Sequence, residues 1–270
     1  MATIPLVLPQ ASFRVDLLQV EVYRDRAAMG LAAAQRVAHD LRALLSVQKR
    51  VSVVFAAAPS QEEFLAALVK QSDVEWSRVV GFHMDEYVGL PAEAPQSFRR
   101  FLRERLFERL PFGAVHYLNG NAADLQQEID RYSALLRACP PDIICAGVGE
   151  NGHLAFNDPH AADLHDPALV KVVELTLRSR QQQVRDGCFA SLKEVPEHAL
   201  TLTIPALVAA ARITCVVPAG NKAEAVRRML TGAVSMDCPA TILRQHPHAV
   251  LCLEPASAAL WLGSDSEAKE

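Results

Sequence analysis

The sequence has no excess of charge of either sign and no apolar run long enough to cross a membrane. Its 27 Lys and Arg residues nearly balance 31 Asp and Glu residues, which leaves a formal net charge of -4. A balanced charge gives no general attraction to nucleic acid or to an anionic membrane. No stretch approaches the roughly 18 apolar residues that a membrane helix needs. We therefore expect neither a nucleic-acid partner nor a membrane partner.

The sequence also lacks paired cysteines and a basic leader. Its 6 cysteines are scattered without a CxxC pair, and several lie in apolar segments such as ITCVV. This usage is typical of buried thiols in a reducing compartment. The N-terminal segment carries no basic residue before Arg14 and is interrupted by Pro5 and Pro9, which argues against a signal peptide. We expect a cytoplasmic protein.

Histidines with metal-ligand spacing are missing too. His246 and His248 flank one proline, which gives a rigid turn rather than a pair of ligands. The segment 147–152 spells GxGxxG, but the acidic residue that a nucleotide site carries about 20 residues later is not clearly placed. We expect no metal and no other cofactor.

Apolar segments of strand length alternate with segments of helical periodicity along the whole chain. The strand candidates are 17–23, 51–58, 78–82, 142–146, 213–217 and 249–253. The helix candidates are a segment that follows a cap at Asp25, then 97–110, 122–137 and 221–230. This alternation predicts an α/β fold with a doubly wound, mostly parallel, Rossmann-like sheet and helices on both faces. We expect a single domain over residues 1–262 and a disordered tail over 263–270.

Asp85 and Glu86 follow a predicted buried strand in the segment GFHMDEYVGL. Ligands of such sheets collect at the carboxyl ends of the strands. Partial burial there would raise the pKa of Asp85 and make it a usable base, and Glu86 is a candidate contact to the substrate. The alternative is that Asp85 only caps a turn or a helix.

A second group of polar residues follows a predicted strand in the segment GVGENGHLAFNDP, where residues that favour turns surround His153. Gly149 and Gly152 allow the backbone to approach a ligand closely, as in an anion-binding nest. Asp158 lies five residues beyond His153 and is able to turn back toward the imidazole, an arrangement that prepares a histidine for proton transfer. The alternative is a histidine whose partners are turn backbone atoms.

Candidates for an anion site follow two other strands. Lys222 follows a glycine turn and opens a helix, where ammonium and helix amides can meet a phosphate; a solvated lysine is the alternative. Ser60 and Gln61 lie in the turn AAAPSQ and offer hydroxyl and amide groups, although Ser60 also fits a helix N-cap. Arg180 and Arg185 are able to swing over an anionic substrate, or else form a solvated face.

The sequence resembles the glucosamine-6-phosphate deaminase (isomerase) family, whose relatives include the 6-phosphogluconolactonases. MDEYVGL and GVGENGHLAFNDP are close to two signatures of that family, and YLNGNAADLQQE, VPEHALTLTIPAL, GNKAEAV and LRQHPHAVLCLEPAS follow in the family order. The resemblance covers nearly the whole chain. The letters LAFN after the glycine and histidine look like the deaminase branch rather than the lactonase branch.

The resemblance implies roles for four residues. Asp85 corresponds to the base that moves a proton between C2 and C1 of the open-chain amino sugar. His153 corresponds to the residue that assists ring opening. Asp158 stands where the family usually has a glutamate as partner of the histidine, and Asn151 stands where members have aspartate or asparagine.

The resemblance also implies a phosphate site that departs from the family pattern. Lys222 matches a phosphate ligand, and Arg185, or else Arg180, matches an arginine that closes over the phosphate. The family usually has a glycine-rich threonine and serine loop where this chain has AAAPSQEE, which is shorter and has no glycine. Phosphate binding would then depend more on Ser60, Gln61 and the cationic side chains.

The function implied by the resemblance is deamination and isomerisation of glucosamine 6-phosphate, or of a close epimer, to a ketose 6-phosphate and ammonia. Such a reaction needs a base, a proton shuttle and an anion clamp, and no cofactor. Two alternatives stay open, a phosphosugar lactone hydrolase and a non-catalytic sugar-phosphate sensor. The partner expected is a small amino sugar phosphate, with a homo-oligomer possible.

Overall fold

The computed structural model describes residues 5–185 and 187–267. Among these residues the strands are β1 (Ala11–Val15), β2 (Leu18–Val22), β3 (Val51–Phe55), β4 (Val79–His83), β5 (Asp85–Tyr87), β6 (Ala114–His116), β7 (Ile143–Ala146), β8 (Val170–Glu174), β9 (His198–Leu202), β10 (Arg212–Val217) and β11 (Ala249–Leu253). The α-helices are α1 (Arg26–Leu45), α2 (Glu62–Leu68), α3 (Phe98–Leu102), α4 (Leu125–Ala138), α5 (Leu177–Arg185), α6 (Ile204–Val208), α7 (Ala223–Thr231) and α8 (Pro255–Glu267).

The main sheet has eight strands in the order β1-β2-β11-β10-β7-β3-β4-β6. Every neighbouring pair is parallel except β1 with β2. Residues of β3 alternate between two apolar clusters, with Val53 and Phe55 in the cluster that contains α1 and α2, and Val54 in the cluster that contains α7 and α8. Helices therefore cover both faces, which confirms the predicted doubly wound α/β fold.

Helix α1 begins where the sequence predicts, because the side chain of Asp25 accepts a hydrogen bond from the Ala28 amide. Its apolar face packs against α2. A Cβ atom built on Gly30 would lie 2.7 Å from the Cβ atom of Glu63, so only glycine allows this approach. This packing brings the first turn of α1 next to the turn between β3 and α2.

The chain reverses its direction across the sheet between β3 and β7. After β3 it adds β4 and β6 on one side, and after β7 it adds β10 and β11 on the other. Such a topological switch leaves a crevice at the carboxyl ends of the two central strands, where open α/β sheets bind their ligands. The turns after β3 and β7 are therefore the place to look for a site.

A second sheet of three strands, in the order β5-β9-β8, was not among the predicted elements. Its pairs are antiparallel, with Asp85 opposite Thr201. Its first strand, β5, follows β4 of the main sheet almost directly, because only Met84 separates the two strands. It fixes the backbone of Asp85 at the carboxyl end of the main sheet.

Several boundaries differ from those predicted, two of them substantially. Helix α8 runs to Glu267 and so includes residues 263–267 of the predicted tail, since a helix is able to continue through its own backbone hydrogen bonds. Residues 268–270 lie outside the described residues. The predicted helix 97–110 is an α-helix over Phe98–Leu102 followed by a π-helical segment, Arg103–Phe107.

No helix among the described residues is both long and apolar enough to span a membrane.

Candidate active site

A cavity of about 570 Å³ opens at the carboxyl ends of β3, β4, β7 and β10. Its wall includes the turn 56–61 after β3, Asp85 after β4, the turn 147–149 with His153 after β7, and Lys222 after β10. The three strand ends singled out in the sequence, together with the turn after β3, thus meet at one cavity.

Asp85 is 7% exposed, and its Oδ1 atom has no hydrogen-bond partner among the described residues. Burial, and to a smaller extent the neighbouring carboxylate of Glu86, raises the pKa of Asp85 well above 3.8. A carboxyl group with raised proton affinity at the wall of a cavity is suited to accept a proton from a bound molecule.

His83 holds the backbone of Asp85 in place. Its Nε2 atom accepts a hydrogen bond from the Leu118 amide at 2.9 Å, so its Nδ1 atom carries the proton and donates to the Asp85 carbonyl at 2.8 Å. Complete burial lowers the pKa of His83 to about 3, which keeps the ring neutral. The sequence motif contained this histidine, but nothing in the sequence indicated its role.

Glu86 does not line the cavity, contrary to its predicted contact with the substrate. Its carboxylate accepts hydrogen bonds from the Ser97 hydroxyl at 2.9 Å and from the Phe98 and Arg99 amides at 3.1 and 2.8 Å. These amides open α3, and a negative charge is favourable at a helix N-terminus. Alternation along β5 turns Glu86 away from the face that Asp85 occupies.

His153 lies on the cavity wall, with its Nδ1 atom 2.9 Å from the Oδ1 atom of Asp158. Asp158 is therefore able to fix the ring and to stabilise its protonated form. A Cβ atom on Gly149 would lie 2.1 Å from ring atoms of His153. Gly149 is required because the imidazole lies directly against its Cα atom.

Asp158 is completely buried and receives several hydrogen bonds. Asn151 Nδ2 lies 2.6 Å from Oδ1, and the Ser179 hydroxyl lies 2.7 Å from Oδ2. Burial by itself would raise the pKa of Asp158, but the bonds from His153, Asn151 and Ser179 outweigh it and hold the pKa well below its usual range. Asp158 therefore stays ionised beside His153.

Asn151 and Ser179 position the Asp158 carboxylate rather than face the cavity. Asn151 also accepts a hydrogen bond from the His153 amide at 3.2 Å, so its predicted catalytic role is indirect in this structure. Ser179 lies in α5 and was not predicted. Its signal in the sequence is weak, because it lies in a polar stretch that is also typical of a solvated helix face.

Lys222, Ser60 and Gln61 also line the cavity. The Gln61 side chain donates to the Val216 carbonyl and to the Ser60 hydroxyl, both at 3.3 Å. Ser60 is not a helix cap, because the Pro59–Gln61 segment forms a 3₁₀ turn before α2 and no side chain caps it. Together these three residues offer hydroxyl, amide and ammonium groups, which suit an anion.

Arg180 and Arg185 do not line the cavity. Arg180 donates to the Leu192 and Val195 carbonyls, both at 3.0 Å, and so holds a loop. Arg185 forms an ion pair with Glu150 at 2.7 Å. Neither arginine is placed as the predicted phosphate clamp, because each guanidinium is engaged with groups outside the cavity.

Three turn residues near the cavity have left-handed backbone. Gly152 has a φ of 88° and packs against Cys238 instead of facing the cavity, so its predicted ligand contact is not seen. Ala155 and Ala219 do line the cavity, with φ values of 51° and 76°. Such a conformation costs about 1–3 kcal/mol in a residue other than glycine, and it concentrates at functional sites.

Several cavity residues were not predicted, above all Arg26 at the start of α1 and Gln182 and Gln183 in α5. Each belongs to a helix whose place beside the cavity is set by tertiary packing.

No group of three or more His, Cys, Asp or Glu residues able to hold a metal ion occurs in the part of the chain that the structure describes.

Comparison with known proteins identifies the family to which the chain belongs. Residues 24–252 match the model of the family described as glucosamine-6-phosphate isomerases/6-phosphogluconolactonase. The chain belongs to this family. Among curated members, a glucosamine-6-phosphate deaminase of Bacillus thuringiensis (strain Al Hakam) is 39% identical over 194 residues, which cover 72% of this chain and 72% of that protein.

Solved structures of family members have the same fold. A monomeric glucosamine-6-phosphate deaminase superposes with a TM-score of 0.82 at 28% identity, over 89% of this chain and 99% of that chain. A 6-phosphogluconolactonase from Thermotoga maritima superposes with a TM-score of 0.71 at 20% identity, over 87% of this chain and 98% of that chain. The second likeness concerns the fold alone.

Proposed function

We propose that this family member converts glucosamine 6-phosphate, or a close epimer, to the ketose 6-phosphate and ammonia. The observation that carries the proposal is one cavity that is lined by a buried carboxyl group, by an imidazole paired with an ionised carboxylate, and by the ammonium group of Lys222. The curated relative of 39% identity is named as a deaminase of the same substrate.

His153 acts first in the proposed reaction. The closed sugar must open before its C2 proton becomes acidic, and opening requires a proton on the ring oxygen and the loss of one from the anomeric hydroxyl. His153 carries that proton between the two oxygens. Asp158 stabilises the charged ring during the transfer, because its carboxylate is 2.9 Å from Nδ1 and stays ionised.

Asp85 then removes the proton from C2 and returns it to C1. In the same change the C1 oxygen takes up the proton that the C2 amino group gives up, so that the C1 aldehyde becomes a hydroxymethyl group and C2 becomes an imine. Addition of one water molecule to C2 and loss of ammonia complete the ketose. The unpartnered Oδ1 atom and the raised pKa of Asp85 support its role as the base.

Lys222 and Ser60, which line the same cavity, bind the phosphate group of the substrate. Anchoring this group fixes the reacting carbons relative to Asp85 and His153, and such positioning contributes much of the rate enhancement in reactions of this type. Lys222 is 8% exposed and lies at the start of α7, where the helix N-terminus also favours an anion.

A panel assay tests the proposal. Purified protein is offered glucosamine 6-phosphate, galactosamine 6-phosphate, glucosamine and a 6-phosphosugar lactone, and both ammonia release and lactone hydrolysis are measured. We expect ammonia from at least one amino sugar 6-phosphate and much less from glucosamine. Lactone hydrolysis without ammonia release would replace deamination with the lactonase reaction.

A further inference from the structure

Three positions of the turn between β3 and α2, not counting Ser60, offer no free backbone donor to an anion. Pro59 has no N–H group, the Gln61 amide donates to the Ala58 carbonyl at 2.9 Å, and the Glu62 amide donates to the Pro59 carbonyl. Residues 56–62 contain no glycine, so the backbone lacks the freedom that an amide nest needs. Since the Gln61 and Glu62 amides are engaged and Pro59 has none, we expect side chains to carry more of the binding of an anion at this turn.

Arg26 brings a guanidinium group to this turn from a distant part of the chain. The close approach of α1 to α2 at Gly30 places Arg26 on the cavity wall. Its Nη2 atom donates to the Pro59 carbonyl at 2.8 Å, and its Nε atom lies 2.6 Å from Glu63 Oε1. The side chain stays 39% exposed, so part of the group is accessible from the cavity.

We infer that Arg26 binds the phosphate group of the substrate and takes over the task of the missing turn amides. This inference rests on the proposed function and deepens it. Arg26 is bonded to the residue that precedes Ser60, and both line the cavity with Lys222. A guanidinium presents several N–H donors in one plane, which matches the oxygens of a phosphate monoester better than an ammonium does.

Arg105, a second arginine on this wall, is less suited to the task. Both its Nε and Nη2 atoms donate to Glu62 Oε1, at 3.2 and 3.0 Å, and its guanidinium lies 4.1 Å from the centre of the Phe101 ring. The contact of Arg26 with Glu63 is a single, partly exposed ion pair, and such pairs contribute little stability. A phosphate dianion is able to compete with Glu63 for Arg26.

Binding of inorganic phosphate, measured by isothermal titration calorimetry, tests this inference without any catalytic step. We expect Arg26→Gln to weaken phosphate binding by about tenfold or more, because a charge-assisted bond is lost. Arg26→Lys should weaken it less. Arg24→Gln is the matched control, since Arg24 is 73% exposed, pairs with Asp25 and does not line the cavity; its phosphate affinity should equal that of the wild type.

Glu63→Gln separates phosphate binding from a purely structural role. Removal of the competing carboxylate should leave phosphate affinity equal to or higher than that of the wild type if Arg26 is a ligand. If the Arg26 and Glu63 pair only holds α1 against α2, both variants should weaken binding together. Circular dichroism confirms that each variant is folded.

Wild-type affinity for phosphate in Arg26→Gln, or weakened binding in Glu63→Gln, would overturn the role of Arg26. With glucosamine 6-phosphate, Arg26→Gln should raise KM more than it lowers kcat. A wild-type protein that binds phosphate through Arg26 but releases no ammonia would instead refute the proposed reaction and leave this inference standing.

Discussion

Asp85 is a buried carboxyl group whose Oδ1 atom has no hydrogen-bond donor within the described part of the chain, and this arrangement favours reactivity at the expense of stability. Replacement by asparagine should lower the rate of ammonia release by about 10²- to 10⁴-fold, the usual contribution of a general base. The same change should raise the Tm, because it removes a charge that burial disfavours. Ammonia assays and thermal unfolding at pH 7 measure the two effects.

The stability gain of Asp85→Asn should depend on pH in a defined direction. The folded-state pKa of Asp85 is raised above 3.8, so ionisation of this group destabilises the wild type increasingly as pH rises from about 4 through the raised pKa. The difference in Tm between variant and wild type should therefore be largest at high pH and vanish near pH 4. A constant difference would contradict the assigned burial of this charge.

At the scale of single residues, the sequence indicated those site residues that lie in continuous motifs. Asp85, His153 and Asp158 each follow a buried strand, so their meeting at one edge follows from the parallel sheet. Arg26 escaped prediction because its place depends on the contact of Gly30 with α2, which no local pattern reveals. Arg185 and Arg180, the two candidates for the phosphate clamp, have their present partners outside the cavity, because charge alone does not say which groups a side chain will meet.

At the scale of elements, Glu86 ties β5 to the start of α3. Glu86→Gln should destabilise the protein by about 1.5–3 kcal/mol, because an amide replaces an oxygen that accepts backbone bonds. Glu93→Gln is the control, since the Glu93 side chain is 71% exposed and its carboxylate pairs with Arg103 in the π-helical segment after α3. Chemical denaturation measures both. A raised KM with unchanged stability would instead restore the predicted contact of Glu86 with the substrate.

The same variant should move the pH profile of activity. The Glu86 carboxylate contributes to the raised pKa of Asp85, so its removal should lower that pKa. Asp85 would then lose its proton at a lower pH, and the acid limb of the pH profile of kcat/KM should move to lower pH. An unchanged limb would mean that Asp85 does not titrate in that limb.

The three-stranded sheet marks the limit of prediction at this scale. Strands β3, β7, β10 and β11 are continuous apolar runs and were predicted, because both of their faces are buried. Strand β5 has the sequence DEY, which is polar and three residues long. Its pairing with β9 is a tertiary event between segments more than a hundred residues apart, so no local propensity indicates it.

At the scale of the whole molecule, Asp158 should make folding sensitive to acid. The pKa of Asp158 is lowered in the folded state. The ionised carboxylate therefore contributes fully to stability above the unfolded pKa of 3.8, and this contribution is lost as pH falls from 3.8 toward the lower folded pKa. Asp158→Asn should destabilise the protein at pH 7 by about 3 kcal/mol or more, and its Tm should fall less steeply below pH 4. Asp73→Asn, at an exposed position, should retain the acid sensitivity of the wild type.

Ala155 and Ala219, the two alanines held in left-handed backbone on the cavity wall, have a consequence for engineering. Glycine at either position would relax the turn in the folded chain but would also enlarge its freedom when unfolded. We expect alanine at these two positions to restrict the turns to fewer backbone conformations than glycine would allow. Substitutions meant to raise the Tm should therefore avoid these two turns and begin at the edge strands of the sheet.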